Sequence, residues 1–395
     1  MTAVETISRL VSVRFVPLAL RNLLANKRRL VRSSAGIGFA ILLMLVQLGF
    51  ERGFFDASLA TVRQLDGDLF FMNADKYRVA TRDPFPHRYL ADATKVAAIA
   101  SVSPLYASWQ DFYWKDPASD QQYLVQTFGF DPDHPAFLLP DVQADSSKLK
   151  AEDAVLIDRS ARAFLGMDRS SGDTEINGRK VHIVGNFPLG PDFVSDGTVM
   201  MSDRTFAQLL PGNREGAAAM PVELGIVKLK PGESVAQVEP ALRAALPASL
   251  KVMSKDELVD FEREFQAKLS SAGPIFWLGT LVGFVVGMLI SYQIIYTDLS
   301  EQLPQYATLK GMGYQNAYLV GVVLEQAALS ALAGYVPAWL MCIVVYWGIS
   351  KVALLPLHMT LSLTLLSFGL TLGMCLFSAS LAIRRVIAAD PAEVF

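Results

Sequence analysis

The sequence predicts an α-helical membrane protein: four transmembrane helices, with a large extracytoplasmic α+β domain inserted between the first and the second. Three observations carry that prediction. Hydrophobic residues fill 52% of the 395 positions and charged residues only 18%, and the apolar excess is gathered into a few long blocks. These blocks reach the roughly 20 apolar residues that a spanning helix needs. Between the first and second of them lies a stretch of ordinary soluble composition, 51–273.

The elements follow in chain order. Residues 1–32 are a basic leader. Its stretch "VPLALRNLLANKRRLV" sets Val16, Leu20, Leu23, Leu24, Leu30 and Val31 near helical spacing, with Pro17 in the first turn. It reads either as an interfacial amphipathic helix or as a plain positively charged anchor. The first span, 33–50, carries no charge. It is not a cleaved signal, because its basic leader is too long and no small-x-small site precedes Glu51-Arg52. The second and fourth spans are 274–297 and 360–382. The third, 317–350, is interrupted by Glu325 and Pro337 and is read as one tilted or kinked helix, in preference to two spans with a re-entrant corner. A short loop, 351–359, joins the last two spans, and 383–395 is a tail. Arg21, Lys27, Arg28, Arg29 and Arg32 precede the first span, and Arg384-Arg385 follow the last. This asymmetry predicts cytoplasmic termini. It places 51–273 outside, periplasmic in a Gram-negative cell, and 298–316 inside.

Within the insert, "TEINGRKVHIVGNF" (174–187) alternates on both sides of Asn177-Gly178, a strong hairpin signal. Residues 154–166 read as a strand feeding a short helix that stops at Gly166. Residues 224–254 read as strand, turn, amphipathic helix and strand. The aromatic, turn-rich region 101–147 is expected to form a second subdomain. Its Trp109, Tyr113 and Trp114 are read as packing residues, with ligand binding as the alternative. Two helical stalks flank the domain. Residues 51–66 carry Phe55, Leu59, Val62 and Leu65 in a stripe. Residues 254–270 carry Leu258, Phe261, Phe265 and Leu269, started by a capping box of Ser254 and Glu257.

The sequence offers no catalytic constellation. A net charge of −3 provides no basic field for nucleic acid. Cys342 and Cys375 lie inside apolar spans, without Cys or His at metal-ligand spacing, and read as small buried hydrophobes. His87, His134 and His182 have no ligand partner at short spacing. "DPDHP", with Asp131, Asp133 and His134, reads as a turn ahead of a cation site. There is no G-x-x-x-x-G-K-[ST] loop and no hydrolase motif, so no cofactor or metal is expected on this chain and any energy comes from a partner. Glu325 is the ionisable residue inside a span, with structural pairing and a transport role both open. Gly279, Gly283, Gly287 and Ser291, four apart, form a small-residue seam, either between two copies or within one.

The polar excursion "LPQYATLKGMGYQNAYLVGVVLEQAALSALAGYVPAW" resembles the coupling segment and following span of the FtsX/MacB-type ABC permeases, and most closely their DevC branch, which lacks a fused ATPase. Leu309, Lys310 and Gly313 match the family's pattern there, and Glu325 and Gly334 fit the span. The stretch 18–49 is similar to the family's first helix and span. "RRVIAADPAEVF" matches its closing signature at Arg384, Arg385, Asp390, Pro391, Ala392 and Glu393, and "INGRKVHIVGNF" resembles its core hairpin. Two positions depart from the pattern: Gln305 stands where the family usually has Glu, and Gly311 where it usually has Ala.

The resemblance implies a homodimeric, non-catalytic permease. A separate cytoplasmic ATPase, which binds the ATP and Mg, would press on Glu301, Gln305, Leu309, Lys310, Gly311 and Gly313. It also implies a membrane-fusion adaptor, an outer-membrane channel and export of a lipid or glycolipid. Family alternatives are activation of a cell-wall hydrolase and lipoprotein release. Gly311-x-Gly313 is expected to form the turn that returns the chain to the membrane.

Overall fold

The computed structural model describes residues 27–168, 170–191, 195–213, 216–217, 220–269, 272–353 and 356–388. The leader positions Val16 to Leu24 and the closing Asp390 to Glu393 lie outside them. The chain divides into two compact units, one of residues 52–274 with 349–356, the other of 1–51, 275–348 and 357–395.

The first helix, α1 (Lys27–Arg63), runs well past the uncharged block. Phe54, Leu59 and Val62 are buried along it, the expected Phe55 is only half-buried, and the buried Leu65 lies just past its end. The inserted unit then builds one mixed sheet. Its elements are β1 (Leu69–Asn73), α2 (Arg88–Ala93), β2 (Ile99–Ser108), β3 (Tyr113–Lys115), β4 (Gln122–Leu124), β5 (Gln126–Phe130) and α3 (Pro140–Asp145), then β6 (Ala154–Asp158), β7 (Gly172–Ile176), β8 (Arg179–Phe187), β9 (Thr198–Ser202), α4 (Asp203–Leu209), β10 (Leu224–Leu229), α5 (Val235–Ala245), β11 (Leu250–Ser254) and α6 (Lys255–Glu264). The described strands form an eleven-stranded sheet in the order β11-β1-β10-β2-β5-β9-β6-β8-β7-β3-β4. Its parallel pairs are β5 with β9 and β6 with β8.

This topology corrects the expectation that 101–147 is a separate subdomain. Strands β2 to β5 all belong to the common sheet, and Trp114 opposite Ile176 joins the β3–β4 hairpin to β7. Successive side chains of a strand point to opposite faces, and both faces are covered. Leu69, Phe71, Tyr106, Val155 and Val199 pack with Leu90 and Ala93 of α2 and Val238 and Leu242 of α5. Phe70, Met72, Leu105, Leu156 and Met200 pack on the other face with Val142 of α3, Leu258 of α6, Val62 of α1 and Leu65 just past its end. Two-sided burial is why "LFFMN", "AVLID" and "TVMMS" read as unbroken apolar runs.

Local signals set the connections. Asn177 (φ 51°) and Gly178 (φ 76°) make the two-residue β7–β8 turn with both central residues left-handed. The Asn177 Oδ1 accepts from Tyr113 N (2.9 Å), and its Nδ2 donates to Asp111 O (2.8 Å) and Leu209 O (3.1 Å). After β6, a 3₁₀ turn at Ala163–Leu165 ends at Gly166 with φ 63°. Ser254 and Glu257 form a reciprocal capping box on α6. A π-helical turn, Phe265–Leu269, follows it, with Tyr77 at 5.6 Å and the Arg78 guanidinium at 5.4 Å from the Phe265 ring.

The other unit adds α7 (Ala272–Glu301), α8 (Leu303–Gly311), α9 (Asn316–Ala353) and α10 (Leu361–Ala388). Helices α1, α7, α9 and α10 are long and apolar enough to cross a membrane. Pro337 lies inside α9 without ending it, so 317–350 is a single helix. Polar side chains stitch the bundle together. The Tyr346 hydroxyl donates to Leu45 O. The Tyr335 hydroxyl donates to Thr364 O (2.8 Å), and Trp339 Nε1 to Thr364 Oγ1 (3.2 Å). Ser378 Oγ donates to Met288 O (2.9 Å).

Candidate functional site

The excursion between α7 and α9 is a nine-residue helix with two unlike sides. Pro304 sits in its first turn, where a missing N–H costs nothing. Tyr306 and Ala307 are buried, and Tyr306 packs with Ile295 and Leu299 of α7, Leu319, Val322 and Val323 of α9, and Ala379 and Ile383 of α10. The Tyr306 hydroxyl lies 3.4 Å from the Oε1 of buried Gln326. Glu301, Gln305 and Thr308 are exposed, and Leu309 and Lys310 are half-buried.

The helix ends in a Schellman arrangement: Tyr314 N donates to Leu309 O (3.2 Å) and Gly313 N to Lys310 O (3.0 Å). The expected two-glycine turn is thereby corrected. Gly313, at φ 93°, alone takes the left-handed conformation, while Gly311 is the last helical residue. On either side of Gly313, Met312 and Tyr314 are 63% and 46% exposed, and the Tyr314 ring lies 4.9 Å from that of Tyr318. Gln305 and Thr308 on α8, with Met312 and Tyr314 just past its end, therefore offer an exposed surface, while the other side of the helix is locked into the bundle.

At the base of the same unit, Ser33 Oγ donates to Asp298 Oδ2 (3.2 Å), tying α1 to the end of α7 just before α8 begins. Glu325 is half-buried on α9, about 14 Å from the helix start at 1.5 Å per residue. The small-residue seam divides. An added Cβ at Gly279 would run into the Gln47 amide, and one at Gly287 would lie 2.9 Å from Met374 Sδ and 3.6 Å from Ala40 Cβ. Ser291 is buried and receives Cys375 Sγ at 3.8 Å. Only around Gly283 is there open space.

In the inserted unit, most of the chemistry-bearing residues bond to their neighbours, and Tyr113 is 47% exposed. Asp131 Oδ1 accepts from Asp133 N (3.0 Å), and its Oδ2 lies 3.0 Å from His134 Nδ1, so "DPDHP" folds as a side-chain-stapled turn. Burial pushes the Asp131 carboxyl up, but bonds from His134 and the Asp133 N–H outweigh that and hold it below the usual range. His182 Nδ1 lies 2.7 Å from Asp173, and His87 precedes α2 without a side-chain cap. Among the described residues no group of three metal-ligating side chains occurs. Trp114 is buried and donates to Leu165 O (2.8 Å), and Trp109 meets Phe128 edge-on. A buried ion pair joins Lys76 Nζ to Glu223 at 2.5 Å. Burial raises the Glu223 carboxyl, and Lys76 opposes the rise.

Two family models match the chain. The MacB-like periplasmic core domain matches residues 33–245, more than half of it, and the FtsX-like permease C-terminal model matches 275–391. The chain belongs to the FtsX/MacB-type ABC transporter permeases. An uncharacterized ABC transporter permease of Mycobacterium tuberculosis is 22% identical over 380 residues, covering 95% of this chain and 98% of its own. One of Mycobacterium bovis is 22% identical over 385 residues with the same coverage. Among solved structures, the periplasmic region of MacB from Actinobacillus actinomycetemcomitans aligns with 50% of this chain and 93% of its own, at 11% identity and a TM-score of 0.36. The extracellular domain of the noncanonic ABC-type transporter YknZ from Gram-positive bacteria aligns with 48% and 99%, at 13% and 0.31.

Within this permease, α8 brings Gln305, Leu309, Lys310 and Gly311 onto one short helix, with Glu301 and Gly313 at its two ends. Glu325 and the Gly279–Ser291 seam lie on the neighbouring helices α9 and α7. Reading by family pattern passed over three kinds of residue: the buried Tyr306 and Ala307, the exposed Met312 and Tyr314, and the Asp298–Ser33 tie. One signal was available for the second kind, since two large apolar side chains in a polar connection are out of place unless something covers them.

Proposed function

We propose that this permease is the membrane subunit of an ABC exporter and that 298–316 is the cytoplasmic foot on which a separate ATPase acts. The observation that carries the proposal is the two-sided build of α8. Tyr306 fixes it to α7, α9 and α10, while Gln305, Thr308, Met312 and Tyr314 are exposed. A push on such a helix is transmitted to the bundle, whereas a push on a loop is absorbed. Glu301 and Lys310 supply charge for the contact, and Gln305 supplies a hydrogen bond where relatives carry a carboxylate.

In this reading both termini are cytoplasmic, the membrane is the bacterial inner membrane, and the inserted unit works outside it. Two copies pair, and two ATPases bind ATP and Mg. Their closure draws the two α8 helices together, and the helices flanking the inserted unit pass the movement outward. The unbroken course of α1 from Lys27 to Arg63 supports that path. An adaptor and an outer channel would complete export of a lipid or glycolipid. Nothing need pass through the spans themselves.

The test is purification of the tagged chain from its native membrane in mild detergent, with mass spectrometry of what accompanies it. A P-loop ATPase with a membrane-fusion adaptor supports export. An ATPase with a cell-wall hydrolase replaces export by mechanical signalling, and one with a lipoprotein chaperone replaces it by lipoprotein release. Recovery without any ATPase, or an ATPase retained unchanged by Met312→Glu and Tyr314→Ala, removes the foot from the scheme.

A further inference from the structure

The bundle carries a groove between α7 and α10 that the coupling scheme does not use. Met288, Leu289, Tyr292 and Tyr296 of α7 and Leu381, Ala382 and Arg384 of α10 line about 500 Å³, within the roughly 300–1,000 Å³ of small-ligand sites. Its walls are graded along the helices. Leu289 and Leu381 leave 61% and 42% of their surface open, a greasy slot facing where lipid tails lie. One and two turns further along α7 come Tyr292 and Tyr296, their rings 5.7 Å apart. Arg384 is exposed at the same end, and among the described residues it pairs with no carboxylate. Aromatic side chains with polar tips and arginines are the residues that settle at the boundary between hydrocarbon and headgroups. Apolar wall, tyrosines and guanidinium thus follow one another in the order of an anionic phospholipid's acyl chain, glycerol region and phosphate. Contacts just beside the slot hold the two helices in register: Ser378 Oγ donates to Met288 O, and Cys375 meets Ser291.

We propose that this groove binds one anionic phospholipid of the leaflet on the side of 298–316, with an acyl chain along Leu289 and Leu381 and its phosphate on Arg384. The charge decides the class. A zwitterionic lipid fills the slot equally well but gains less from a single cation. Arginine suits phosphate through its planar, multi-donor fork. The inference rests on the membrane bundle alone and stands whether or not an ATPase docks on α8.

The experiment is native mass spectrometry of the full chain, titrated with phosphatidylglycerol or phosphatidylcholine. The expected result is a single saturable site preferring phosphatidylglycerol by about fivefold, the ratio that corresponds to roughly 1 kcal/mol per cation near the surface. Arg384→Gln abolishes the preference and Arg384→Lys keeps part of it. Leu381→Trp, from an already exposed position, weakens both lipids. Arg28→Gln, a cation on α1 outside the groove, changes nothing. Equal losses in Arg28→Gln and Arg384→Gln would reduce the effect to general surface charge and overturn the site. So would rapid disulfide-linked dimerisation of Leu381→Cys in lipid-saturated membranes, which would assign the groove to a second copy of the chain. Loss of the fold in Arg384→Gln would show in thermal unfolding, and Leu381→Trp and Arg384→Lys then carry the test.

Discussion

The two glycines that close α8 should respond in opposite directions to the same methyl group. At Gly313 the backbone has φ 93° and an added Cβ would meet nothing within 4 Å. The cost of Gly313→Ala is therefore conformational alone, about 1–2 kcal/mol for placing an L-residue in the left-handed region. Gly311 is helical, and its Cβ position is also open. There alanine removes the entropic penalty of glycine in a helix, a gain of about 0.5–1 kcal/mol. Hydrogen exchange of the peptide spanning 303–314, measured on the full chain in lipid nanodiscs, reads both. The Gly313 and Tyr314 amides are bonded to Lys310 O and Leu309 O. They should exchange about 5–30-fold faster in Gly313→Ala, as 1–2 kcal/mol dictates, and a few-fold slower in Gly311→Ala. If both variants moved exchange the same way, the division of labour between the two glycines would be wrong.

Other perturbations follow from the same geometry. Asn177→Gly keeps the left-handed turn but loses three hydrogen bonds, and Asn177→Ala loses the conformation as well. Thermal unfolding should rank wild type above the glycine variant and that above the alanine variant, with the first step costing about 1–3 kcal/mol for the stranded partners. Lys76→Met strands a buried carboxylate and should cost about 3–5 kcal/mol, much of it recovered when Glu223→Met is added. Asp158 is buried, and although Leu189, Ser160 and Gly190 donate backbone N–H groups to it, burial raises its carboxyl. Its favourable contribution is therefore full below the unfolded value near 4 and is lost as pH rises through the folded one. The melting temperature of wild type should fall relative to that of Asp158→Asn as pH rises through that window. Gly287→Leu overpacks the contact with Met374 and should destabilise the bundle by about 1–3 kcal/mol. Gly283→Leu, facing open space, should leave monomer stability unchanged while weakening any pairing of two copies across that face.

What was legible in the sequence was local and chemically forced. Asn177-Gly178 between alternating residues has few structural options, and Ser254 with Glu257 declares a helix start whatever surrounds it. The long apolar blocks give helices because only those satisfy every backbone group in hydrocarbon. Long-range pairing left no such mark. Nothing in "YWK" says that Trp114 will sit opposite Ile176, so 101–147 read as a piece apart when it belongs to the common sheet. The site was legible by pattern and less so by role. Leu309, Lys310 and Gly313 stood out, but whether Gly311 turned the chain depended on a hydrogen-bond register that glycines do not announce. Tyr306 became an anchor only through α9 and α10, which meet it from 319 and 379 onward.

The sheet of the inserted unit has only two ends, and both are poor templates. At one lies β4, three residues long, and at the other β11, five residues long with Lys251 as its second residue. Short, charged borders are how β proteins discourage strangers from extending their ladders. Eleven strands stacked side by side would otherwise invite fibril-like growth. At the β4 margin a partner must therefore read side chains and loops, since three residues of backbone are too few for it to join there as a twelfth strand.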